Sequence, residues 1–175
     1  MERLPHDPKN FREVVEADLR RAARLVIKVQ DEIDPQLRIA TLEGDFHLAV
    51  MLPSDPHERL MIFHNLELFM AWKQALGFTL ASELYQPDSV YCVGFMGRER
   101  HACLARIARA PKPWAAKNFG PVEWLPDSSI DPMLSGLLPR GVREMSAKDL
   151  VTLEKWFGVC GKFPAIKIAT GELGI

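Results

Sequence analysis

The chain has 175 residues, 47% of them hydrophobic and 26% charged, with 22 Lys and Arg set against 23 Asp and Glu. That balance excludes a disordered polyelectrolyte, a collagen-like repeat and a disulfide-dense miniprotein, and a net charge near zero points to no partner by itself. A domain of this length buries roughly 70% of its unfolded surface, so it needs neither metal nor disulfide to hold together.

A first helix is signalled by Asn10, which suits the N-cap, and by Glu13 three residues on, which completes a capping box. Phe11, Val15, Leu19, Ala22, Val26, Val29 and Ile33 recur at helical spacing. Asp34-Pro35 stops the run, because a residue before proline is pushed away from helical angles. A hairpin follows, in which Leu37, Ile39 and Thr41 alternate with polar or small residues, as do Phe46, Leu48, Val50 and Leu52. A two-residue loop at Glu43-Gly44 predicts Thr41 opposite Phe46, Ile39 opposite Leu48 and Leu37 opposite Val50, with the large apolar side chains sharing one face.

Asp55, Pro56 and Glu58 predict the start of a second helix. Between Leu60 and Leu76 it carries more apolar bulk than one face holds, so it is expected to be buried on two sides, the second against another subunit. Gly77 is expected to close it in the left-handed conformation. From Phe78 to Ile107 the apolar period is two, predicting three strands with turns at Gln86–Ser89 and at Gly97-Arg98, with a continuation of the second helix as the alternative reading of Phe78–Leu84. With Gly97-Arg98 as a two-residue loop, Cys92 and Cys103 face each other on neighbouring strands. Beyond Arg109, prolines at 111, 113, 121, 126, 132 and 139 predict an irregular segment over 109–145 with room only for short pieces, one of them starting at Asp131-Pro132. Ser146 and Asp149 cap a last helix from Ala147 to Phe157, which Gly158 closes.

The expected fold is a single α+β domain over 1–175. It has an antiparallel sheet of about five strands, in two hairpin-type units flanked by helices, in the order α-ββ-α-βββ-irregular-α. This order is similar to that of small α+β regulatory domains of the roadblock and profilin-like kind; it is a resemblance in element order, and no motif carries a family assignment.

The motifs of common chemistries are incomplete. His57-Glu58 lacks the second histidine of a zinc-protease helix, since position 61 is Met61, and His64 lies two turns away, about 10 Å, too far to share a metal. The run from Gly158 to Lys162 lacks the span of a phosphate loop, and Gly94 to Gly97, which has the letters of a KH loop, falls in a hairpin. Cys92, Cys103 and Cys160 have neither zinc nor redox spacing, so they are expected to act as small apolar residues. His47, on the less apolar face of the first hairpin, is expected to meet solvent or a hydrogen bond. No catalytic residue, metal ligand or cofactor is therefore expected. The N-terminal residues lack the apolar core of a secretory signal and the Leu60–Leu76 run is too polar for a membrane span, so a cytoplasmic protein with reduced thiols and no membrane contact is expected.

One asymmetry remains. Residues 1–97 hold 10 basic and 15 acidic side chains, whereas residues 98–122 hold six basic and one acidic. The basic block contains Arg98, Arg100, Arg106, Arg109, Lys112 and Lys117, interleaved with His101 and Trp114, a combination that can hold phosphates and stack bases. The leading expectation for these residues is nevertheless a solvated face or pairing with the acidic first half, with anion binding as the alternative. Two functions follow as expectations. The first is a non-enzymatic interaction or regulatory module, homodimeric through the Leu60–Leu76 helix or a sheet edge. The second is a binder of nucleic acid or a phosphorylated ligand through residues 98–117, with a small enzyme as the third reading.

Overall fold

One antiparallel sheet carries apolar side chains on both faces, and helices cover each of them. The computed structural model describes residues 10–29, 32–109, 116–141, 144–158 and 166–168, with 116–117, 157–158 and 166–168 by backbone alone. Helix α1 (Phe11–Val29) leads to strands β1 (Gln36–Ala40) and β2 (Asp45–Val50), then helix α2 (Pro56–Trp72). Strands β3 (Gly77–Tyr85), β4 (Asp88–Met96), β5 (Glu99–Arg109) and β6 (Ala116–Leu125) follow. A 3-10 turn (Asp127–Ser129), the short helix α3 (Pro132–Ser135), helix α4 (Ala147–Gly158) and strand β7 (Ile166–Ile168) complete the described elements. The strand order is β6-β5-β4-β3-β1-β2-β7. This is the expected α+β single-domain fold, with β6 and β7 added to the five strands anticipated.

Helix α1 lies across β3 to β6. Its buried stripe of Phe11, Val15, Leu19, Ala22, Ala23 and Val26 meets Ala81, Val90, Cys92, Cys103 and Ala105. The small residues on this face let the helix come close. At Gly94 a Cβ would stand 2.5 Å from Val15 Cγ2 and 2.8 Å from Phe11 Cζ, so glycine is the residue the contact requires. The other face, with Leu37, Ile39, Leu48, Val50, Phe78, Val93 and Phe95, packs with α2, α3 and α4.

Caps behave as their chemistry dictates. The Asp55 carboxylate accepts from His57 N at 3.0 Å at the start of α2. Ser146 and Asp149 exchange reciprocal bonds of 3.1 Å at the start of α4. The three strands from Phe78 onward form as predicted, and Cys92 and Cys103 are direct partners across β4 and β5.

Four expectations are corrected. Helix α1 does not extend to Ile33; that residue lies beyond it, its N–H donating to Glu83 Oε2 at 2.9 Å. In the first hairpin Ile39 pairs with Phe46 and Leu37 with Leu48, two residues from the expected register. Thr41 and Gly44 close the loop by mutual backbone bonds of 3.0 and 3.3 Å, leaving Leu42-Glu43 at its tip, and Gly44 takes φ 141° beside the tip. Because the shift is even, the apolar residues keep their common face. Gly77 does not close α2: Gln74 carries the positive φ (51°), and Gly77 opens β3, where a Cβ would stand 2.6 Å from Phe95 O. The irregular segment over 109–145 yields to a ten-residue strand, β6, which tolerates Pro121 because it lies at the sheet edge among the described residues. Besides its sheet side, α2 is also packed by α4 of the same chain. Leu60 and Met61, each 54% exposed, and Trp72, 44% exposed, are left at its surface. No helix among the described residues is long and apolar enough to cross a membrane.

Candidate functional site

Strand alternation divides the basic segment between two faces. Arg100 pairs with Phe95, on the side of α2 and α3, and its Nε donates to Asp127 Oδ2 at 2.9 Å. Arg106 lies roughly 20 Å further along the strand, with its Nε 3.2 Å from Glu123 Oε1. His101 and Arg109 turn to the α1 side. His101 Nε2 is 3.4 Å from Glu99 Oε2, and its ring lies 6.1 Å from both Phe11 and Trp124. Arg109 grips Asp88 with two bonds of 2.8 Å and reaches Glu83 at 3.5 Å. Lys117 sits on β6, described by backbone alone, and Lys112 and Trp114 lie outside the described residues. The segment therefore forms no single stripe among the described residues: Arg100, Arg106 and Arg109 each face a carboxylate.

Arg98 is the exception. It stands in the β4–β5 turn, where Gly97 supplies φ 59°, and it lines a cleft of about 610 Å³ between that turn and the stretch following α3. Arg100 and Arg140 line the same cleft. Among the described residues neither Arg98 nor Arg140 has a carboxylate within ion-pair distance. Phe95, Leu138 and Pro139 supply its apolar wall, and Ser135 its rim, the hydroxyl donating to Pro132 O at 2.7 Å. Arg140 was outside the basic segment read from sequence. Forty-two residues separate it from Arg98, and only the return of the chain through the 3-10 turn and α3 brings the two together.

A second polar assembly lies under α1. Asp18 is 5% exposed, and its carboxylate accepts from Thr79 Oγ1 at 2.5 Å and Arg38 Nη1 at 3.2 Å, with Arg21 Nη2 at 3.0 Å. Arg38 in turn donates to Asp45 Oδ2 at 2.8 and 3.1 Å. His47 is the register partner of Arg38 on the same face. Burial, followed by the charges of Arg38 and Arg21, pushes its pKa down to about 4, so the imidazole is neutral. The signal for this assembly was Asp18 itself, an acidic residue set within the apolar stripe of the first helix. Cys92 and Cys103 are fully buried nearby, and burial raises both thiols, Cys103 to about 12. Cys160 lies outside the described residues. Among the described residues no group of three His, Cys, Asp or Glu side chains is placed to hold a metal ion.

No protein-family model matches the chain, and no curated protein or solved structure is significantly similar to it, so the similarity in element order gains no family assignment.

Proposed function

We propose that the protein is a non-catalytic binding module whose ligand is an anion received in the cleft between the β4–β5 turn and Arg140. What supports the reading is the convergence of Arg98, Arg100 and Arg140 on one cleft. Guanidinium groups form forked, charge-assisted bonds to carboxylate and phosphate, and a partly enclosed cleft strengthens them. The buried Asp18 assembly supports a structural role instead, since every charge in it has an opposite neighbour within 3.2 Å. Titration of the full chain with anions at low and high salt tests the reading. Binding should weaken with salt, and Arg98→Gln together with Arg140→Gln should abolish it without changing the melting temperature. Binding that persists in that double variant would remove the cleft as the site.

A homodimer through α2 is a second reading, favoured by Leu60, Met61 and Trp72 at the helix surface. Burying what remains exposed of these half-buried side chains would gain about 1 kcal/mol each. Sedimentation at micromolar concentration should show a dimer that Met61→Lys dissociates; a monomer throughout would end this reading.

A further inference from the structure

Resting on the reading of the cleft as an anion site, the geometry points to a particular class of ligand: an amphiphilic mono- or dianion, with one or two carboxylate or phosphate groups on an apolar body. It also points to Asp127 as the internal counter-ion that such a ligand displaces from Arg100.

The charge of the site sets the first limit. Three guanidinium groups reach the cleft, and Asp127 already offsets one of them through Arg100 Nε. Glu99 also lines the cleft, with its carboxylate 3.4 Å from His101 Nε2. Counting Asp127 and Glu99 against the three guanidinium groups leaves a surplus of one positive charge, which suits a ligand of one or two negative charges and not a polyanion. A polyanion would need a longer basic track. Along β5 the next cations are Arg106 and Arg109, roughly 20–30 Å from Arg100, and they are engaged by Glu123 and Asp88.

The walls set the second limit. Phe95, Leu138 and Pro139 offer apolar surface, but Phe95 is only 5% exposed and its ring stacks on Phe78 at 5.1 Å, which leaves no open face for a nucleobase. The other aromatic ring near this end of β5, Trp124, belongs to the α1 face, with the Arg12 guanidinium 4.1 Å above it. Stacking, on which single-stranded nucleic acid binding depends, has no platform in the cleft. An apolar body that needs contact rather than stacking fits it, and the volume of about 610 Å³ lies within the range of small-ligand sites.

Asp127 sets the third. It and Arg100 are 60% and 49% exposed, and ion pairs that open to water contribute little. An incoming carboxylate that also touches Arg98 and Arg140 exchanges for Asp127 at small cost.

The test is calorimetric titration of the full chain with hexanoate, adipate, the peptide acetyl-Leu-Leu-Asp, inorganic phosphate and oligothymidylate. The organic anions should bind more tightly than phosphate or the oligonucleotide. Tighter binding of the peptide than of the free acids identifies a protein chain end as the source of the ligand, and the reverse identifies a small organic acid. Asp127→Asn, at an exposed position, should tighten binding by about threefold, whereas Arg98→Gln or Arg140→Gln should each weaken it about tenfold. If phosphate or oligothymidylate binds best, the cleft remains an anion site and the amphiphilic ligand is overturned. Unchanged affinity in Asp127→Asn overturns the displaced counter-ion. If no probe binds, the proposed function itself falls.

Discussion

The hydroxyl of Thr79 donates to the Asp18 carboxylate at 2.5 Å, joining the middle of helix α1 to the third strand of the sheet. Both side chains are almost wholly buried, and Arg38 and Arg21 hold the same carboxylate. Taking Asp18 away leaves Arg38 with Asp45 alone. Asp18→Ala should therefore lower unfolding free energy by roughly 3 kcal/mol, and Thr79→Val by about 1–2 kcal/mol. Urea unfolding monitored by circular dichroism would show it. A loss below about 0.5 kcal/mol for Asp18→Ala would mean that the assembly does not anchor the helix.

His47 makes stability depend on pH. Its folded pKa of about 4 lies below the 6.5 it regains on unfolding. Between those values the unfolded chain takes up a proton that the folded chain refuses. The contribution of the neutral imidazole is thus whole above pH 6.5 and declines as pH falls toward 4. Melting temperatures of the parent and of His47→Asn, measured across that interval, should converge as the solution becomes acid. Parallel curves would show that His47 is not the group responsible.

Gly94→Ala should push α1 off the sheet. The added methyl meets Val15 and Phe11 at distances that real Cβ atoms do not tolerate, and overpacking of this kind costs about 1–3 kcal/mol. Shortening Val15 to alanine in the same chain should recover part of that loss, so that the double variant is more stable than the sum of the two single effects predicts. Simple additivity would place the clash elsewhere.

The facing thiols of Cys92 and Cys103 should be inert in the native protein. Both are fully buried, and burial raises their pKa, which suppresses the reactive thiolate. In a Cys160→Ser chain, a thiol reagent should label neither residue until denaturant is added. Rapid labelling under native conditions would reveal an opening of α1 that the packing does not suggest.

Legibility in the sequence followed the range of the interactions involved. Caps at Asp55 and Ser146 involve neighbours within three residues, and alternation over Tyr91–Ile107 reflects one local pattern, so both could be read directly, whereas Phe78–Leu84 suited strand and helix alike until the sheet decided it. The first hairpin was misplaced by two residues because alternation is insensitive to even shifts, and the bond from Thr41 Oγ1 to Gly44 O at 2.8 Å that accompanies the tighter loop has no signature in polarity. Pro121 masked β6, since a proline speaks against a strand unless the strand is known to lie at an edge, and that is a tertiary fact. Charge clustering at 98–117 located Arg98 and Arg100. It also gathered Arg106 and Arg109, whose carboxylate partners come from other strands, and it missed Arg140, which reaches the cleft only through the fold.

The placement of Pro121 bears on how the protein behaves when crowded. A bare outer strand is a template on which further copies can add, hydrogen bond by hydrogen bond, until a fibre forms. Here proline removes a donor from the middle of β6, register shifts near Ala105–Ile107 and Ala108–Arg109 bend the ladder beneath it, and Arg106 with Glu123 places charge beside the rim. The missing donor, the register shifts and the exposed ion pair each make this rim a poorer template for an added strand, as protected sheet edges are.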